Sequence, residues 1–317
     1  MSPPLSDPTF SNYSHNQAQQ YANSRLSYSA QLYNTILNYH TETHGQVNVL
    51  ADIGCGPGNA TRDLAMFFNH AIGLDPSAEM IKTALLSDGL TRAGRPLAYA
   101  VSTADNIVHG ITEALPAAKE NGGVDLLTAA MAAHWFDMPK FWKEASRIVK
   151  SRGTVALWTC ASLYCHPSTV NAKEVQQALF HLEREVLSPY ELPPNRLSRD
   201  LYSNLVLPWH TGDDNVAKEF PIAEFRRMEW DRDGILSDQE QFFNFSQKKT
   251  LNDLEASLGT ASMVTRWREA HPELVGTKKD CVSQMIAQVR TALGVGEDEN
   301  PLITVGTAVV ILLFKRK

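Results

Sequence analysis

The sequence predicts an α/β protein: a doubly wound, mainly parallel sheet of seven strands, the final strand antiparallel, with a cap inserted over the ligand crevice. Three observations predict it. From residue 47 onward, short apolar runs alternate with helical stretches. Alternation of this kind gives right-handed crossovers and places helices on both faces of a parallel sheet. The first run, Val47-Asn-Val-Leu-Ala-Asp-Ile-Gly-Cys-Gly-Pro-Gly-Asn-Ala-Thr61, passes through Asp52 into alternating glycines at 54, 56 and 58, the pattern of a strand, a tight turn and a helix start. Asp52, Asp75, Asp105 and His134 all fall at or just after predicted strand ends. Open α/β sheets bind their ligands at that edge.

The elements follow in order. Tyr21, Arg25, Tyr28, Leu32 and Ile36 recur at three- and four-residue intervals, a helical period, so residues 1–45 read as a helical lid. The core spans 46–160. It comprises strand 47–52, helix 59–69, strand 71–75, helix 77–86, strand 97–101, a helical or irregular stretch 105–119, strand 124–130, helix 138–150 and strand 154–160. Pro167, Pro189, Pro193, Pro194 and Pro208 then surround a helical segment near 171–187. This change of pattern marks 161–222 as a substrate cap insertion, because an open sheet needs something to enclose a small substrate. Residues 223–317 complete the core with strand 225–231, a helical hairpin 237–270, helix 278–293 and the closing strand 303–314.

The glycines restrict the ligand. Gly54, Gly56 and Gly58 let the backbone take positive φ and approach a ligand that side chains would exclude. A dinucleotide fingerprint needs its third glycine at position 59, where Asn59 stands, and no Gly-Lys-Ser/Thr follows to make a P-loop. Asp75 ends the second strand about twenty residues after the first glycine, where a carboxylate accepts both ribose hydroxyls. The ligand therefore carries a free ribose and no pyrophosphate.

With the glycine motif stand Tyr21-Ala-Asn-Ser-Arg25, Gly73-Leu-Asp-Pro-Ser-Ala-Glu-Met-Ile81, Ala133-His-Trp-Phe-Asp137 and Gly153-Thr-Val-Ala-Leu-Trp158. Together they resemble the class I S-adenosylmethionine-dependent methyltransferases, most of all the fungal trans-aconitate methyltransferases, over residues 20 to 160. The resemblance implies a Rossmann-like core with S-adenosylmethionine as cofactor. It implies that Asp52 lies near the methionine portion, that Asp105 and Asn106, with Ala104, contact the adenine, and that Tyr21 and Arg25 close over the methionine end.

Other residues are candidates by position. His134 and Trp135 follow the fourth strand and line the floor between cofactor and substrate, with His134 the catalytic candidate, as base or as orienter of an acceptor oxygen. Trp158, Tyr164, Arg196, Arg199, Tyr202 and Trp209 are candidates for the substrate pocket, each with packing or surface exposure as its alternative. The Arg196 and Arg199 pair suits capture of a di- or tricarboxylate. No metal site is expected, and a carboxylate acceptor, already ionised near neutral pH, needs no general base. The expected reaction is metal-independent O-methyl transfer to a small molecule, forming a methyl ester on a trans-aconitate-like acid. The alternatives are an O- or S-methyltransferase of fungal secondary metabolism, or a protein that binds the cofactor without transferring its methyl.

Composition excludes other partners. With 29 Lys and Arg against 35 Asp and Glu, the chain is mildly acidic and its basic residues are scattered, which argues against nucleic acid. Cys55, Cys160, Cys165 and Cys281 form no C-x-x-C pair or zinc spacing and suit packing roles in a reducing compartment. The N-terminus lacks a basic start and an apolar h-region. The apolar run 305–314 is short of the roughly 20 residues that span a bilayer. The expectation is a cytoplasmic monomer or homodimer with no membrane partner.

Overall fold

The computed structural model describes residues 28–317 except Gln239 and Phe245. Helix α1 (Ala30–Glu42) starts at Ser29, whose hydroxyl accepts from the Leu32 N–H and donates to the Phe243 carbonyl. Its Leu32, Tyr33, Ile36 and Leu37, at helical spacing, form the buried face.

The core strands and helices are β1 (Val49–Ile53), α2 (Asn59–Ala65), β2 (His70–Asp75), α3 (Ala78–Leu85), β3 (Ala98–Val101), α4 (Ile107–Ala114), α5 (Pro116–Glu120), β4 (Val124–Ala130), α6 (Met138–Ile148) and β5 (Val149–Cys165). Then come α7 (Ala172–His181), α8 (Pro193–Arg199), α9 (Asp214–Glu219), β6 (Arg226–Trp230), β7 (Gln247–Thr250), α10 (Leu251–Leu258), α11 (Ser262–Ala270), α12 (Cys281–Leu293) and β8 (Leu302–Lys315). The sheet order is β3-β2-β1-β4-β5-β8-β6, with β1 to β5 parallel and β8 antiparallel to β5, β6 and β7.

The mainly parallel sheet with an antiparallel final strand follows the sequence expectation, but among the described residues it has eight strands rather than seven. The extra one, β7, reads Gln-Lys-Lys-Thr and lies where a helical hairpin was expected. Nothing apolar or alternating marks it, and its pairing with Leu302–Val305 of β8 comes from long-range contact alone.

β5 and β8 explain their own composition. Val155 and Leu157 of β5 enter the apolar cluster on one sheet face, and Ala156 and Trp158 enter the cluster on the other. On β8, Val310, Leu312 and Phe314 alternate in the same way with Val309, Ile311 and Leu313. A strand covered on both faces is apolar at every position. Past a register shift between Cys160 and Leu163 the two strands run on together as a ribbon, which carries the cap.

The cap does not keep to 161–222. Val175, Leu179 and Leu182 share one apolar cluster with Leu254, Trp267, Met285 and Val305, so α7 packs with α10 to α12. Conversely Val216 and Phe220, around α9, join the core cluster with Trp142 of α6. The expected boundary at 222 thus divides two segments that bury one another.

Candidate active site

A cavity of about 870 Å³ runs from the C-terminal ends of β1 to β4 to the underside of the cap. Gly54, Gly56 and Gly58 have φ of 68°, 53° and 81°, each for a different reason. A Cβ on Gly54 would sit 2.5 Å from the Ala132 Cβ, and one on Gly58 would sit 2.5 Å from the Tyr99 hydroxyl. A Cβ on Gly56 would meet nothing within 4 Å, so this position opens into the cavity. Gly58 instead serves as the N-cap of α2 and does not line the cavity. The Gly54 and Cys55 N–H groups donate to the Leu74 carbonyl at 2.7 and 3.0 Å, tying the loop to β2.

Asp75 stands at the mouth of this loop. Its Oδ2 accepts from the Gly56 N–H at 2.9 Å and its Oδ1 from the Ser77 N–H at 2.8 Å. Burial pushes its carboxyl above the usual range, opposed by those two hydrogen bonds. A carboxylate has about four lone-pair sites, so acceptor capacity remains for two more donors.

Asp52 does not reach the cavity. It is fully buried, with Oδ2 accepting from Thr61 Oγ1 at 2.7 Å and Oδ1 from Thr128 Oγ1 at 2.8 Å, and burial pushes its pKa up to about 6. It ties β1 to α2 and β4, which corrects its expected role beside the cofactor. After β3, Ser102, Thr103, Ala104 and Asp105 line the cavity. A hydrogen bond from the Thr103 side chain, helped by Lys140 at 3.7 Å, holds the Asp105 carboxyl below its usual range. Asn106 is exposed at the start of α4 and lines nothing, a second correction.

After β4, Met131 in the left-handed region turns the chain so that His134, Trp135 and Phe136 line the cavity. His134 is 8% exposed, and its Nδ1 lies 3.0 Å from the Tyr202 hydroxyl. Burial pushes that hydroxyl's pKa up, with Thr159 opposing, so it stays protonated.

The cap end is apolar between leucines of α7 and α10, with Glu183, Glu191, Arg199 and Lys249 in its walls. Arg199 Nη2 donates to Glu191 Oε2 at 2.7 Å, Ser162 donates to Glu183 at 2.7 Å, and Lys249 donates to Ser257 at 2.9 Å. Glu183 sits on a π-helical turn, Leu182–Val186, that continues α7.

Five of the six expected pocket residues, all but Arg199, do not line the cavity. Trp158 is fully buried in the core, edge-on to Tyr28 at 5.3 Å, and its indole N–H has no partner among the described residues. Trp209 packs on Phe225 and Phe314. Arg196 points outward, 60% exposed, pairs with Asp200 at 2.9 Å and lies 3.8 Å from Glu191. Tyr164 is buried against Phe180, and Tyr202 touches the cavity only through His134. Tyr21 and Arg25 lie outside the described residues. Sequence reasoning missed Ser102 and Thr103, which the strand-end rule reaches, and lining residues such as Asn244, Lys249, Leu254 and Leu258, for which no local signal exists.

Among the described residues no group of His, Cys, Asp and Glu could hold a metal ion, and no helix is long and apolar enough to cross a membrane.

Residues 51–157 match the family model described as a methyltransferase domain. A methyltransferase of Dictyostelium discoideum is 33% identical over 160 residues, covering 50% of this chain and 53% of that one. A protein of Saccharomyces cerevisiae named as an S-adenosylmethionine-dependent methyltransferase is 29% identical over 158 residues, 50% of this chain and 49% of that one. The chain thus spans about half the length of these curated relatives. A solved structure described as a type II methyltransferase from Anaeromyxobacter dehalogenans superposes with a TM-score of 0.60 at 23% identity, over 92% of this chain and 97% of that one, and establishes the fold. The glycine loop and the acid at the end of β2 thus lie inside the segment, residues 51–157, that matches a methyltransferase domain.

Proposed function

We propose that the whole protein transfers a methyl group to an oxygen of a small molecule bound under the cap. The observation that carries the proposal is that one cavity joins the glycine loop to the cap, with His134 between them. The residues present fit the cofactor, since Gly56 leaves open the space a Cβ would fill and Asp75 keeps acceptor capacity for two ribose hydroxyls. Ser102 to Asp105 take the adenine edge. The cofactor supplies an electrophilic methyl on a sulfonium.

The protein's contribution is alignment, and effective molarities from such alignment reach roughly 7–11 kcal/mol of barrier. His134 moves the proton. When its Nδ1–H donates to the Tyr202 oxygen, Nε2 carries the lone pair and accepts the hydroxyl proton of the acceptor. Tyr202 thus acts as a positioning residue that selects the tautomer. General-base help of this kind contributes about 10²–10⁴-fold.

A second reading is methyl-ester formation on a di- or tricarboxylic acid such as trans-aconitate. Arg199 and Lys249 in the cavity wall favour it. The test is release of S-adenosylhomocysteine with a panel of phenols, alcohols and polycarboxylates, in wild type and His134→Ala. Hydroxyl transfer predicts a loss of at least a hundredfold in the variant; carboxylate transfer predicts little change. Cofactor binding with no release for any acceptor overturns the transferase reading.

A further inference from the structure

Charge and surface in the outer half of the cavity go further than the transfer reaction. Leu163, Leu179, Leu182, Leu187, Leu254 and Leu258 all line it, with Val264 and Val305 beside them. Hydroxy and keto acids of a few carbons have no apolar body to cover these side chains, and leaving them against water forgoes about 25 cal/mol for each Å² of apolar surface that a larger guest would cover.

The carboxylates of the wall equal or outnumber its cations. Across the whole cavity the lining residues described include five carboxylates, Asp75, Asp105, Asp137, Glu183 and Glu191, against two cations, Arg199 and Lys249. In the outer half the count is two against two. Arg199 is engaged by Glu191 at 2.7 Å, and Lys249 donates to Ser257 at 2.9 Å. Arg196, which would have supplied a third cation, faces outward onto Asp200. A tricarboxylate would bring three more negative charges into a wall whose described carboxylates already equal or outnumber its described cations. Buried charge without a matched partner is strongly disfavoured.

Resting on the hydroxyl-transfer reading above, we infer that the acceptor is an uncharged, predominantly apolar hydroxy compound. Its reacting oxygen meets His134, its body lies along the leucines, and its far end accepts or donates single hydrogen bonds at the Glu183 and Arg199–Glu191 walls. Glu191 is the specificity determinant against anions, because it holds Arg199, the one guanidinium among the described residues that line the chamber.

The experiment uses the full chain saturated with S-adenosylhomocysteine and two probes of one skeleton, 4-phenylbutan-1-ol and 4-phenylbutanoate, with trans-aconitate as a third, titrated by calorimetry at pH 7. The expected result is that the alcohol binds at least tenfold tighter than the matched carboxylate and that trans-aconitate binds more weakly still. Glu191→Gln, which releases Arg199, raises carboxylate affinity by about tenfold relative to the alcohol; Glu183→Gln gives a smaller rise in the same direction if the first variant does not fold. The inference is overturned if the carboxylate or trans-aconitate binds as tightly as the alcohol, or if none of the three binds. Failure of the transferase reading is separate: it appears as tight alcohol binding with no S-adenosylhomocysteine released from the methyl donor under any acceptor.

Discussion

Replacing Gly56 by alanine separates the cofactor role of the glycine loop from its structural role. At φ 53° an alanine costs about 1–2 kcal/mol relative to glycine, and since its Cβ meets nothing within 4 Å no clash adds to that. Global stability therefore falls by about 1–2 kcal/mol. The methyl group instead intrudes on the space open to the ligand, where overpacking costs about 1–3 kcal/mol. At about 1.4 kcal/mol per tenfold, cofactor affinity drops about 5- to 150-fold. Gly58→Ala is the contrasting variant. Its φ of 81° carries the same conformational cost, and its Cβ would lie 2.5 Å from the Tyr99 hydroxyl and 2.9 Å from the ring, so stability falls by about 2–5 kcal/mol. Its folded fraction keeps cofactor affinity within a few fold, because Gly58 does not line the cavity. Urea unfolding gives the first quantity and calorimetry with S-adenosylhomocysteine the second. Unchanged affinity in Gly56→Ala, or a larger stability loss there than in Gly58→Ala, refutes the assignment of Gly56 to the cofactor.

Other perturbations follow from the same geometry. Arg196→Ala leaves kcat/KM unchanged and costs under about 1 kcal/mol in urea unfolding, because its pairs are solvent-screened, whereas Arg199→Ala removes the 2.7 Å partner of Glu191 in the cavity wall, leaves only Arg196 at 3.8 Å, and costs about 1–3 kcal/mol. Lys315 is 2% exposed, donates to the His40 carbonyl and Thr154, and has no carboxylate partner among the described residues; burial pulls its pKa down to about 8. Because the unfolded chain keeps that proton up to its ordinary pKa of about 10.4, the native state bears the cost of the charge below pH 8 and is relieved of it as pH rises to about 10. Lys315→Met thus raises stability at pH 7 by up to about 3 kcal/mol and flattens the alkaline rise, as followed by urea midpoints across pH. Asp52 works in the other direction: its native pKa of about 6 lies above the unfolded value, so its charged form is a liability above pH 6 that is relieved as pH falls toward 4, and Asp52→Asn removes that acid-side gain. A pH–stability profile that Asp52→Asn leaves unchanged would contradict the assignment.

Much of the fold was legible because its signals are local. β1 and β2 announce themselves as apolar runs with an acid at or next to their ends, β4 as an apolar run, and the helices between them by caps such as Ser77, whose hydroxyl accepts from the Met80 N–H of α3. β7 was not legible. Gln247–Thr250 is polar, four residues long, and a strand only because the β8 edge continues past the core to receive it. The cap boundary failed for the same reason: Leu254 and Trp267 pack on Leu179 and Leu182 across a sequence gap that no periodicity records.

The candidate site divides along the same line. Its cofactor half depends on backbone shape, and glycines at 54 and 56 with an acid at the next strand end leave a local trace in the residues. Its acceptor half depends on which side chains converge from the β5–β8 ribbon, α7, α8 and α10, and one turn of error reverses the answer. Arg196 and Arg199 show this directly: three residues apart on a short helix, both reach Glu191, but Arg196 lies out in solvent on Asp200 while Arg199 lines the cavity. Read as a pair they suggest an anion clamp; read in place they provide one cation already neutralised. The spacing of charges along a chain therefore specifies a ligand's charge only when the phase of the helix carrying them is known, and at α8 that phase is set by the burial of Pro194 and Ser198 rather than by either arginine.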